Sequence, residues 1–140
     1  MTNDEVKDYL NRYIDAAQTA SAAQRHLEKL RARSKSVTRS YDAEGGGAPI
    51  GDRLGEAVAK IVDAENRVSD ELELLVATEH EVIGVIKKVE DSKQRTLLYE
   101  RYVNGKTFEE ISVLIGKSWR QTHRIHSRAL RTVSNILESE

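Results

Sequence analysis

The chain has 140 residues, of which 32% are charged and 39% hydrophobic, and its formal net charge is −1. This size suits one domain or a small domain with an extension, and the apolar share is too high for a wholly disordered chain. With no cysteine present, disulfides, cysteine-ligated zinc, iron–sulfur clusters and a thiol nucleophile are excluded. No apolar run approaches the ~20 residues of a membrane helix, and the acidic N-terminus does not resemble a secretory signal. We expect a helical, intracellular protein without membrane contact.

The charge is unevenly distributed along the chain. Residues 1–92 hold 13 Lys and Arg against 18 Asp and Glu, whereas residues 93–140 hold 9 against 5. An acidic body joined to a basic end is typical of a modular protein whose basic end meets a polyanion.

Residues 4–37 repeat with alternating steps of four and three, the period of a coiled coil. The repeating positions are Val6, Leu10, Tyr13, Ala17, Ala20, Gln24 and Leu27. The pattern predicts a long helix that Thr2-x-x-Glu5 opens as a capping box.

A break follows near residues 39–52, where Gly45, Gly46, Gly47 and Pro49 cannot continue a helix. We interpret it as a flexible loop. A phosphate-binding role for the glycines is disfavoured, because the Lys-Ser/Thr of a P-loop is absent.

Residues 53–90 show the same helical rhythm. Its positions are Leu54, Val58, Ile61, Val68, Leu72, Leu75, Val82, Ile86 and Val89. Two long helices joined by a glycine loop predict an antiparallel hairpin over residues 1–91. Such a hairpin buries only one face of each helix, so we expect a homo-oligomer, with a dimer as the first guess.

Residues 92–140 differ in period and composition. A short helix with Leu97, Leu98 and Tyr102 is ended by Asn104-Gly105. Two capping boxes follow, Thr107-x-x-Glu110 and Ser118-x-x-Gln121, separated by a turn at Gly116. The apolar positions expected to be inside are Ile111, Leu114, Ile115, Ile125, Ala129, Leu130 and Val133. A short helix, a glycine turn and a longer basic helix predict a three-helix, helix-turn-helix domain.

The second helix of such a motif reads the major groove of DNA with its N-terminal residues. Arg120 and Arg124 can fork onto guanine, and Gln121 can pair with adenine. His123 and Ser127 share that helix face with the two arginines. Four cations are better placed for phosphates: Lys106, Lys117, Arg128 and Arg131.

The stretch TFEEISVLIGKSWRQTHRIHSRALRTV, with the preceding RTLLYERYVNGK, resembles the fourth-region DNA-binding domain of bacterial sigma factors. The whole chain, a helical hairpin with a central GGG before this domain, resembles the ArpU/RinA-like transcriptional regulators of phages and prophages. This resemblance implies a sequence-specific, cytoplasmic DNA-binding regulator in a bacterial host, with RNA polymerase as a candidate partner. It implies base contacts at Trp119, Arg120, His123 and Arg124, and backbone contacts at Lys117, Arg128 and Thr107, around the cap residue Ser118.

Two alternatives remain at this point. A DNA-packaging factor like a small terminase subunit would combine the same motif with a ring of eight or more copies. A coiled-coil adaptor would use the basic helix to contact an acidic protein. We do not expect an enzyme or a cofactor, because no catalytic set or phosphate loop can be assembled from these residues. His123 and His126 lack a third ligand nearby, which disfavours a metal site.

Overall fold

The computed structural model describes residues 1–44 and 50–140, and the side chains of residues 1–36 and 51–140. This part of the chain is helical without strands, which confirms the predicted all-α class. The helices are α1 (Asn3–Glu44), α2 (Ile50–Lys87), α3 (Ser92–Tyr102), α4 (Phe108–Ile115) and α5 (Trp119–Glu138). The two long helices pack together. Among the described residues, none of the helices combines the length and the apolar character that crossing a bilayer requires.

Both long helices extend further into the connecting segment than the sequence predicted. α1 continues to Glu44 and α2 begins at Ile50, so most of the loop expected near residues 39–52 is helical. Residues 39–44 contain neither Gly nor Pro, and nothing in them ends a helix. The glycine run and Pro49 lie within residues 45–49, outside the described residues.

The chain divides into two compact units, with both divisions falling inside the long helices. The terminal unit comprises residues 1–16 and 75–140, and the middle unit comprises residues 17–74. The core of the terminal unit is built by α1, α2, α3 and α5, so it extends across the boundary between residues 91 and 92 that the sequence suggested. Its fully buried members are Val6, Leu10, Val82, Ile86, Val89, Leu98, Ala129 and Val133.

The two long helices run antiparallel. In the terminal unit, Arg12 of α1 pairs with Glu81 of α2 at 2.7 Å. In the middle unit, His26 of α1 shares a cleft with Asp70 of α2, whereas Ser34, later in α1, shares another with Arg53, earlier in α2. The order of partners reverses along the chain, as an antiparallel pair requires.

Among the described side chains, four alanines are buried along α1 and α2, and we call this set the alanine seam. The buried alanines are Ala16, Ala20, Ala23 and Ala64. Three positions of the apolar rhythm in α2 are not buried within the single chain: Leu54, Val58 and Leu72 are 40%, 51% and 38% exposed. Gln24 of α1 is also exposed. Leu27, a predicted position of α1, is buried as well, so small and large side chains share the buried positions of that helix.

Candidate nucleic-acid interface

The first helix of the predicted motif, α4, is fixed by a capping box. The Thr107 hydroxyl accepts the Glu110 N–H at 3.2 Å, and the Glu110 carboxylate accepts the Thr107 N–H at 3.3 Å. Hydrogen bonds from the Thr107 backbone and side chain, with the nearby Lys106 ammonium, hold the pKa of Glu110 below its usual value. The box predicted from the sequence is confirmed.

The turn between α4 and α5 is defined by one glycine and one serine. Gly116 has φ of +66°, a left-handed conformation that L side chains rarely adopt. The Ser118 hydroxyl accepts the Gln121 N–H, and the Gln121 side-chain oxygen accepts the Ser118 N–H, both at 3.1 Å. This second predicted box is also confirmed. The side-chain oxygen of Gln121 is therefore engaged at the start of α5, and a free amide for reading adenine is not what the structure shows.

A hydroxyl chain joins α4 to α5. The Ser112 Oγ lies 2.9 Å from the Thr122 Oγ1, which donates to the Ser118 carbonyl at 2.8 Å. Thr122 is fully buried. The position of α5 relative to α4 is thus set by polar contacts as well as by apolar packing.

A row of rings in tilted and edge-to-face contact, which we call the ring row, covers the first two turns of α5. The Trp119 ring centroid lies 4.0 Å from that of His123, and His123 lies 4.4 Å from Phe108. Phe108 also meets His126 at 4.9 Å, and the Arg101 guanidinium lies 4.5 Å from the Phe108 centroid. Trp119 nevertheless remains 58% exposed. The ring row holds an aromatic surface at the tip of α5.

Six predicted site residues come together on one open surface of α5, which we call the recognition groove. They are Trp119, Arg120, His123, Arg124, Ser127 and Arg128. The three arginines are exposed, and none has an ion pair within the described part of the chain. Unpaired guanidinium groups at this spacing can form bidentate hydrogen bonds with guanine or with phosphate.

A second, adjoining depression has a volume of about 310 Å³. We call it the lysine cleft, because Lys93 of α3 and Lys117 of the turn both line it, together with Arg124, Arg128 and Asp91. The Lys93 ammonium beside Lys117 lowers the pKa of Lys117. Arg124 and Arg128 line both depressions, so one basic surface continues from the groove into the cleft.

The remaining predicted residues lie outside the recognition groove or are already engaged. Lys106 pairs with Glu110 at 3.7 Å. Thr107 and Ser118 serve as helix caps, and Arg131 is exposed but lines neither depression. His123 lies in the groove, but its Nε2 is buried with no hydrogen-bond partner among the described residues.

The interior of the motif also differs in part from the prediction. Leu114, expected inside, is 59% exposed, and Ile125 is only half-buried. Buried polar residues take the remaining places along α5: Thr122, His126 and Ser134. Periodicity of apolar residues could not identify these three, because it does not count polar side chains, and their hydrogen bonds go to Ser112, Tyr102 and the Met1 carbonyl.

Sequence reasoning missed Lys93 as a site residue. Asp91 caps α3, its carboxylate accepting the Gln94 N–H at 3.0 Å, and Lys93 follows in a first turn that holds no acid. A cation there opposes the positive end of the helix dipole. That unfavourable placement is the signal in the sequence that could have indicated a function.

The described residues contain no group of three or more His, Asp or Glu side chains arranged to hold a metal ion. Comparison of the chain with protein-family models, curated proteins and solved structures finds no match.

Proposed function

We propose that this protein is a sequence-specific DNA-binding transcriptional regulator that reads the major groove with α5. The observation that carries the proposal is the recognition groove, where Arg120, Arg124 and Arg128 face solvent without partners beside an exposed Trp119. A helix that follows a glycine turn and presents its first residues outward is the reading element of a helix-turn-helix.

Charge along α5 supports a polyanionic ligand. α5 carries four arginines and no acidic residue before Glu138. Its first turn holds Arg120 and no acid, so side-chain charge adds to the positive end of the helix dipole. Phosphates are the anions that such a surface neutralises, and they supply affinity without sequence choice.

Within the groove, the residues take different roles. Arg120 and Arg124 are the proposed base-reading residues, since each can form two hydrogen bonds with a guanine edge. Arg128 lies further from the tip and is assigned to a phosphate. Trp119 offers an apolar surface suited to a thymine methyl group. His123 positions Trp119 through a tilted ring contact, and this role replaces the direct base contact expected from the resemblance.

The resemblance to phage and prophage regulators extends the proposal to the biological setting. On that resemblance we propose the cytoplasm of a bacterial host as the setting, with RNA polymerase as a partner to be tested. The acidic body, residues 1–92, is then the part that joins copies together, and the basic end is the part that binds DNA.

Fluorescence anisotropy with duplex DNA from the protein's own genomic neighbourhood tests the DNA-binding proposal. We expect binding that weakens with salt, exceeds binding to a scrambled duplex, and is lost in the Arg120→Ala/Arg124→Ala variant. Arg31→Ala/Arg33→Ala, on the exposed part of α1, is the matched control and retains binding. Absence of binding at low salt would assign α5 to a protein partner instead.

The oligomer is proposed to form through α2. Large aliphatic side chains remain exposed on one side of this helix in the middle unit: Leu54, Val58, Val62 and Leu72. Their spacing of four, four and ten residues keeps them on one helix face. A second copy of the same face would bury them. A two-fold dimer would place two α5 helices on half-sites about one helical turn, or a multiple of it, apart.

Light scattering coupled to size exclusion tests the assembly. We expect a dimer for the wild type and a monomer for Val58→Ser/Val62→Ser. The matched control is Val113→Ser, because Val113 is 82% exposed but lies on α4, and this variant stays dimeric. A ring of eight or more copies would contradict the regulator model and favour a packaging factor.

A further inference from the structure

Two lysines that repel each other share one cleft in the terminal unit. Lys93 comes from the first turn of α3 and Lys117 from the turn before α5, and both line the lysine cleft of about 310 Å³. Like charges side by side are unfavourable unless an anion lies between them. Neither lysine has a carboxylate partner among the described ion pairs.

The lining of the cleft is strongly cationic. Arg124 and Arg128 join the two lysines, so four cationic side chains face one anionic side chain, that of Asp91. The Asp91 carboxylate accepts the Gln94 N–H at 3.0 Å as the cap of α3. One oxygen of this carboxylate is thus engaged at the end of α3. With four cationic side chains against one carboxylate, the cleft keeps a net positive charge.

We infer that the lysine cleft binds a phosphate oxyanion between Lys93 and Lys117. The inference rests on the proposed function in assigning that phosphate to the DNA backbone, at a position next to the bases that α5 reads. Ammonium groups bind phosphate as point charges, and the two arginines at the border can add forked hydrogen bonds. The cleft therefore makes α3 a second DNA-contacting element besides α5.

The position of the cleft has a consequence for how α5 docks. Arg124 and Arg128 line both the groove and the cleft, so a phosphate held by Lys93 and Lys117 sits beside the helix that reads bases. Phosphate contacts fix the register of a protein on the duplex without carrying sequence information. Lys93 thereby sets the orientation of α5, and Arg120 and Arg124 select the sequence.

The test compares full-length wild type, Lys93→Gln and Lys117→Gln, with Lys29→Gln as a matched control on the exposed part of α1. Binding to the preferred and scrambled duplexes is measured across a salt series. Loss of one phosphate contact reduces the slope of log K against log salt by about one. We expect Lys93→Gln to weaken binding roughly fivefold to tenfold at 0.1 M salt, equally on both duplexes.

Inorganic phosphate gives a second readout that does not depend on DNA. At matched ionic strength, phosphate in place of chloride should raise the thermal midpoint of the wild type and of Lys29→Gln more than that of Lys93→Gln or Lys117→Gln. The two lysine variants supply the baseline for the general stabilising effect of phosphate on proteins.

The outcomes separate this site from the proposed function. DNA binding by the wild type, with unchanged salt slope and unchanged phosphate response in Lys93→Gln, overturns the cleft and leaves the regulator standing. A phosphate response confined to proteins with both lysines, without DNA binding, supports the cleft with a free phosphate as its ligand and overturns the regulator. If Lys93→Gln lost less binding on the scrambled duplex than on the preferred one, Lys93 would be a base-reading residue. That result would contradict its assignment to a phosphate.

Discussion

The Tyr102 hydroxyl lies 2.6 Å from Nε2 of His126, inside the packed end of the terminal unit. Their rings are stacked, with centroids 5.9 Å apart. Burial raises the pKa of Tyr102 to about 12. Burial, followed by the positive charges of Lys7, His123 and Arg101, lowers the pKa of His126 to about 4. Both groups are neutral at pH 7, and the tautomer of the imidazole sets which of the two atoms donates the hydrogen bond.

Tyr102→Phe should reduce the free energy of unfolding by about 1–2 kcal/mol, because it leaves the buried Nε2 of His126 without its hydrogen-bond partner. Urea denaturation followed by circular dichroism measures the change. Tyr99→Phe, on the exposed side of the same helix, should leave the stability unchanged. Equal effects of the two substitutions would mean that the buried hydrogen bond contributes no net stability.

Stability should fall as the pH is lowered from about 6.5 to about 4. Unfolded His126 takes up a proton near pH 6.5, whereas the folded pKa is about 4, so acid favours the unfolded state throughout that interval. The slope from this group is at most about 1.4 kcal/mol for each pH unit, and it vanishes above pH 6.5. Denaturation across pH should show a shallower slope in His126→Gln than in His80→Gln, an exposed control. Identical slopes would contradict the assignment to His126.

Trp119 provides an internal optical signal for DNA binding. It is the only tryptophan in the chain, and 58% of its surface is exposed at the start of α5. Contact with bases should quench its emission and shift it toward the blue, while a duplex that does not bind leaves the spectrum of the free protein. Unchanged emission at saturating DNA would remove Trp119 from the interface while leaving the arginines in place.

Substitutions at two glycines should have opposite effects on stability. Gly116 has φ of +66° and open space where a Cβ would stand, so Gly116→Ala is expected to cost about 1–2 kcal/mol through the backbone alone. Gly84 lies within α2 and also has open space, so Gly84→Ala should stabilise the protein by up to about 1 kcal/mol. Thermal unfolding of both variants measures the two changes in stability. A loss of stability in Gly84→Ala would indicate that a Cβ at residue 84 clashes with a neighbour that the single chain does not contain.

Enlarging the alanine seam should separate the long helices. Ala20→Leu places a large side chain where 3% exposure leaves no room, and overpacking typically costs about 1–3 kcal/mol. Ala22→Leu, on the exposed side of α1, is the control with the same change in volume. Circular dichroism during heating distinguishes the two variants. Similar melting curves would show that the seam tolerates expansion.

The sequence predicted the elements whose signals are local. Both capping boxes, at Thr107 and Ser118, and the glycine turn at Gly116 occur where expected, because each depends on residues within one helical turn. The faces of the long helices were harder to predict. Val58 fits an apolar rhythm as well as Ala64 does, and only the partner helix determines which one is buried.

Long-range contacts account for what was missed at the site. Lys93 and Lys117 are far apart in sequence, and their shared cleft depends on how α3 packs beside the turn before α5. Gln121 is a local case, because its side chain can form a hydrogen bond either with the helix cap at Ser118 or with a base. The cap is made in the protein alone, and only a bound duplex could offer the competing partner.

Along the long helices, the small residues that are buried and the large apolar residues that stay exposed are different sets. Ala20 and Ala64 are buried along the long helices, whereas the branched residues Val58 and Val62 are exposed. In the dimer proposed for α2, mutations in the exposed set would change the choice of assembly partner with little effect on the fold of the single chain. Under that proposal, related chains would diverge into non-mixing assemblies within one cell while they keep the same architecture.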